Sequence, residues 1–181
     1  MQSMELEAES IDFIKKSCKN VDNIILNDKF LQLKEIGRHK YTNTYDHSIR
    51  VAVGAAIIAD KLGGNVESAI RVGLLHDMCF VKREERKAHG GHYNFYHPIE
   101  ASENADKEFG ITVEEQRAIK AHMFPMAVRI PTSRIALALT LSDKLVAIYE
   151  GLYGVRMLRK MMISIYARSF EPVVLQLAYA E

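Results

Sequence analysis

The segment TYDHSIRVAVGAAIIADKL, Thr44 to Leu62, constrains this chain most. Its apolar residues (Ile49, Val53, Ala56, Ile57 and Ile58) fall nearly all round a helical wheel. A helix that is apolar on every side is buried, so other elements must surround it. Thr44 can cap its start, and Gly63-Gly64 can stop it. Around it the pattern stays helical. An amphipathic helix is expected from about Met4 to Cys18, and a short one from Asp28 to Glu35. Asn65 can cap a helix carrying Val66, Ala69, Ile70, Val72 and Leu74 toward His76-Asp77. Gly73 sits inside that helix, where glycine costs about 1 kcal/mol against alanine; a close helix crossing would explain it.

The pattern fails in VKREERKAHGGHYNFY, Val81 to Tyr96, which reads as a long loop. A helix is expected to start at His97-Pro98, with proline at its first position, and to stop at Gly110. Thr112 and Glu115 form a capping box for the next, which runs to about His122. Ser133 can cap a helix to Tyr149, and a last helix is expected after Gly154, to about Arg168. No stretch keeps a two-residue alternation, so the class is all-α.

Length and composition narrow the rest. The chain has 181 residues, enough for one ordinary domain, and 48% hydrophobic residues, which excludes a disordered or fibrous class. A net charge of +1 argues against binding DNA or RNA through bulk positive charge. The longest purely apolar run, Val51 to Ala59, is too short to span a bilayer, so no membrane partner is expected. Cys18 and Cys79 show no paired framework and no signal peptide is visible, which points to a reduced, cytoplasmic setting.

Histidine stands out, with seven in the chain. His47 opens the central helix, His76-Asp77 closes the next, His97 heads the one after the loop, His122 ends the capping-box helix, and Asp143 lies in the Ser133 helix. One imidazole on an apolar face is ordinary core, and Asp77 or Asp143 alone could pair with a nearby base. Six such groups on five helices are harder to read as unrelated polarity, because buried carboxylates are costly unless paired or metal-bound. A cationic centre accounts for all six, and mixed imidazole and carboxylate ligands favour Fe, Mn, Zn, Co or Ni over Mg or Ca.

The order His47, His76-Asp77, Asp143 resembles the HD superfamily of metal-dependent phosphohydrolases, and the added pair His97 and His122 resembles its binuclear subgroup. The wording TYDHSIRVA, GLLHD, HPIEASENADKEFGI, AIKAH and LSDKL is similar to bacterial HD hydrolases of dinucleoside polyphosphates and to related uncharacterised ones. The resemblance covers about residues 41–149. It implies a single HD domain over 1–181, a helical bundle with the metal site between central helices. It also implies that His47, His76, Asp77 and Asp143 bind one metal, and that His97 and His122 bind a second, with Asp77 bridging. Two such metals activate a shared water against a phosphoryl group. The implied substrate is a small phosphate ester or anhydride, above all a nucleotide.

Phosphate needs further positive partners. Arg50, three residues after His47, and Lys144, next to Asp143, are candidate clamps that share catalytic duty with Asp77. His39, flanked by Arg38 and Lys40, could reach the mouth of the site, and Lys82, Arg83, Arg86 and Lys87 could gather an anion. Met157, Leu158, Met161, Met162 and Ile165 fit core or a subunit contact, which admits a homo-oligomer. Two other readings share the ligand set: a di-iron oxygenase of the HD fold, and a nucleotide-binding HD module without catalysis. One oxygenase type carries a glutamate shortly before the first histidine, and 37–46 holds none. No Gly-Tyr-Pro follows the doublet, which disfavours cyclic dinucleotides as substrates.

Overall fold

The computed structural model describes residues 2–39, 42–81 and 92–151. The side chains of Arg38 and His39, residue Lys40, the basic loop with His89, and the segment 152–181 with its expected last helix lie outside the described residues. What is described is an all-helical fold: α1 (Gln2–Ser17), α2 (Asp22–Ile25), α3 (Asp28–Leu31), α4 (Thr44–Lys61), α5 (Val66–Leu75), α6 (Tyr93–Phe109), α7 (Val113–Ala121) and α8 (Arg134–Gly151). A 3-10 turn, Gln32–Glu35, completes the short helix expected from Asp28.

The apolar segment behaves as its pattern requires. Helix α4 buries Ile49, Val51, Ala52, Val53, Ala55, Ala56, Ile58 and Ala59. It packs against both α5 and α8, and α1 covers it further. Gly63 ends it in the left-handed region, with φ +66, where glycine has no Cβ to strain. The start differs by one residue from the expectation. Asn43, not Thr44, is the cap: its side-chain oxygen accepts from the Asp46 N–H at 2.8 Å. Thr44 instead donates its hydroxyl to the Ile36 carbonyl at 3.0 Å, tying α4 to the preceding turn.

Gly73 has the close crossing its cost demanded. A Cβ there would lie 2.5 Å from Ala52 Cα, so the α4 and α5 backbones touch with no room for a side chain. The caps at Asn65, Thr112 with Glu115, and Ser133 form as expected. Three features were not foreseen, the first being the one-turn helix α2 over Asp22–Ile25. A small antiparallel pairing joins β1 (Gly37–His39) to β2 (Thr42–Asn43) ahead of α4. Helix α6 begins at Tyr93, four residues before the expected start, so Pro98 lies inside it. The added turn has its own support: Tyr93 stacks on His97 one turn later, with ring centroids 4.3 Å apart.

Candidate metal centre

Five elements deliver the six predicted side chains to one place. His47 lies in the first turn of α4, His76 and Asp77 just past α5, His97 in α6, His122 just past α7, and Asp143 in α8. None is more than 3% exposed.

Local structure aims the imidazoles. His76 Nδ1 lies 2.8 Å from the Gly73 carbonyl, His97 Nδ1 2.7 Å from that of Tyr93, and His122 Nδ1 2.8 Å from that of Ile119. A carbonyl only accepts, so each Nδ1 carries the hydrogen and each Nε2 presents a lone pair. These bonds are to the residue's own helical turn, which is why a histidine at or near a helix end can be held this way. His47 differs. Its Nδ1 donates to Glu150 Oε2 at 2.9 Å, and its Nε2 lies 3.2 Å from Asp143 Oδ1.

The lone pairs converge in two overlapping groups. His47, His76 and Asp143 form one; His76, Asp77 and His122 form the other. Asp143 Oδ1 is 3.7 Å from His76 Nε2. Asp77 turns Oδ2 to His76 Nε2 at 3.6 Å and Oδ1 to His97 and His122 Nε2 at 3.5 and 3.7 Å. One carboxylate thus turns one oxygen to His76, which both groups share, and the other to His97 and His122. Asp143 Oδ2 is held by Lys144 Nζ at 2.7 Å, which leaves Oδ1 toward the imidazoles. Lys144 also donates to the His122 carbonyl at 2.9 Å, so it braces both ends.

The fit to a cation can be tested on one contact. His97 Nε2 and His122 Nε2 face each other at 3.1 Å. With both Nδ1 atoms protonated, two lone pairs would meet there and repel. A shared ion removes the conflict: ligand nitrogens about 2.0–2.1 Å from one metal sit about 3 Å apart. Burial, then the neighbouring His97 and His76 rings, hold the His122 pKa well below the usual imidazole range, so it stays the neutral form a metal needs. The residues fit divalent transition metals.

Behind this cluster lies a residue the sequence reading missed. Glu150 is 5% exposed and takes Arg50 Nη1 on Oε1 at 2.7 Å as well as His47 on Oε2. Burial alone would raise its carboxyl; the hydrogen bonds and charges of His47 and Arg50 outweigh that and hold it below the usual range. Its one sequence signal was its place seven residues after Asp143, on the same helical face. Arg50, expected to face phosphate, gives one donor to Glu150. His92, expected in the loop, is the cap position of α6 and exposed. A cleft of about 400 Å³ between Val113, Arg117 and Ser133 lies at the far ends of α7 and α8, away from the histidines.

A family model described as "HD domain" matches residues 44–170. The chain belongs to the HD domain family. Among curated relatives, this HD domain is similar to ribonuclease Y of Geotalea uraniireducens (strain Rf4), 39% identical over 95 residues, 50% of this chain and 17% of that protein. It is also similar to ribonuclease Y of Petrotoga mobilis (strain DSM 10674 / SJ95), 35% identical over 112 residues, 56% of this chain and 20% of that protein. Ribonuclease Y of Geobacter metallireducens (strain ATCC 53774 / DSM 7210 / GS-15) is 45% identical over 65 residues, 33% of this chain and 12% of that protein. The chain thus spans a fifth or less of these relatives' length. No solved structure matches it significantly. These relatives support neither the finer likeness to dinucleoside polyphosphate hydrolases nor the expectation of no RNA partner. Among the described residues, no helix is long and apolar enough to cross a membrane.

Proposed function

We propose that this HD domain is a metal-dependent phosphohydrolase acting on a phosphate ester or anhydride of a nucleotide, with an RNA phosphodiester admitted as substrate. The observation that carries the reading is the convergence of four imidazole Nε2 atoms on Asp77 and Asp143, with the His97 and His122 nitrogens 3.1 Å apart. His47, His76, Asp143 and Asp77 would hold one metal, and His97, His122 and Asp77 a second. Bound metals of this kind polarise a phosphoryl oxygen and lower the pKa of water. The protein's own residues position and neutralise. Asp77 keeps the two ligand groups in register through its two oxygens. Lys144 fixes Asp143 and keeps a third N–H for an anionic oxygen. Arg50, with a side chain 38% exposed, has further donors beside the one on Glu150. Both can clamp phosphate.

The test is the protein purified with Mn, Fe, Co, Ni or Zn and offered phosphomonoesters, mononucleotides, dinucleoside polyphosphates, cyclic dinucleotides and RNA oligonucleotides. Release of phosphate or nucleotide by one metal form is expected. No release by any form would refute the reading, and oxygen consumption by a di-iron form would replace it with the oxygenase.

A further inference from the structure

The four imidazoles of the cluster are not held alike. His76, His97 and His122 each give Nδ1–H to a neutral peptide carbonyl three or four residues earlier. His47 gives its own to a carboxylate 103 residues away. A hydrogen bond to an ionised acceptor is roughly twice as strong as one between neutral groups. It also fixes the ring and raises the basicity of the opposite nitrogen. That nitrogen, His47 Nε2, is the one facing Asp143 Oδ1. Glu150 cannot drift, because its second oxygen is held by Arg50 at 2.7 Å. The two ends of the cluster therefore differ in charge. Near His47 stands Asp143 Oδ1, with the Glu150 carboxylate behind the ring. Near His97 and His122 stands one oxygen of Asp77, and the Nδ1–H of each ring goes to a neutral carbonyl of its own turn.

We propose that Glu150, anchored by Arg50, is a positioning residue that makes the His47 end the tighter of two unequal metal positions, so that the cluster loads in sequence. This rests on the metal-centre reading above. It gives Arg50 a duty on the protein side of the site in addition to any contact with phosphate.

The experiment is a titration of the metal-free full chain with Zn²⁺ against a chromophoric chelator, repeated with Co²⁺ by visible absorption. The wild type should show a tight step and a weaker one. Glu150→Ala should weaken the tight step by about 10–100-fold, the usual effect of losing a group that orients a ligand, and leave the weaker step unchanged. Glu150→Gln, which keeps an acceptor but no charge, should restore part of the loss. Arg50→Ala should act in the same direction as Glu150→Ala, to a smaller extent. Glu115→Gln is the control. Glu115 is a buried carboxylate on α7 held by Arg71 of α5 at 2.9 Å; it bonds none of the four imidazoles in the contacts described, and losing its charge should lower stability without weakening the tight step selectively. Unchanged affinities in folded Glu150 variants, or equal weakening of both steps, would overturn the proposal while sparing the metal centre. If Glu150→Ala does not fold, Glu150→Gln and Arg50→Ala decide by the same criterion. Absence of any binding by the wild type would overturn both readings together.

Discussion

Replacing Gly73 by alanine sets two known tendencies against each other. Alanine is the better helix former by about 1 kcal/mol, so an isolated α5 would gain. In the fold the new Cβ would lie 2.5 Å from Ala52 Cα, 2.9 Å from Ala52 N and 3.1 Å from Ala52 Cβ. Carbon atoms rest about 3.5–4.0 Å apart, so α4 and α5 must part by about 1 Å at the crossing. The nearest atom is backbone, and no side-chain rotation relieves it. Overpacking of this kind costs about 1–3 kcal/mol. The net expectation is a less stable protein, read as a lower urea midpoint of the metal-free form. The same displacement reaches the site, since α4 carries His47 and α5 leads into His76-Asp77. Metal ligands tolerate about 0.2 Å, so affinity in a chelator competition should fall as well. An alanine variant that is as stable as the wild type, or more so, would refute the tight crossing. A destabilised variant with unchanged metal affinity would refute its link to the site.

Asp77→Ala should empty both metal positions, because its two oxygens serve both groups, whereas His122→Ala should spare the one near His47; elemental analysis after dialysis checks this, and equal loss would count against the division. Burial, reinforced by the Glu67 carboxylate, pushes the Cys18 thiol up to about 11. The folded state thus holds that proton more tightly than the unfolded chain, whose thiol titrates near pH 8.5. The contribution is fully present below about pH 8.5 and is lost as pH rises through about 11. Cys18→Ala should flatten that part of the stability profile, measured by urea melts, and parallel wild-type and variant curves would refute it.

Much of this protein is written locally. The caps at Asn65, Thr112 with Glu115, and Ser133 are contacts within three residues, and the apolar wheel of 44–62 is a periodicity within one helix. Such signals follow from bonds between near neighbours, so they are legible in a bare sequence. The six candidate ligands were legible too, because polar groups in apolar helices need a reason. The start of α6 was misread because Pro98 is most at home at a first helical position, yet the Tyr93–His97 stack draws the helix one turn earlier. Thr44 is not the cap: its hydroxyl goes to the Ile36 carbonyl, just past the 3-10 turn, and Asn43 caps instead.

The sequence by itself determined the all-α class, most of the longer helices among the described residues, the buried place of α4 and which residues are the candidate ligands. Only the tertiary structure decided how Asp77 divides its oxygens, that Lys144 turns Asp143, and that Glu150 stands behind His47. The physical reason is distance along the chain: local hydrogen bonds and side-chain periodicity carry no information about a partner 103 residues away, which is fixed only when α4 and α8 pack together.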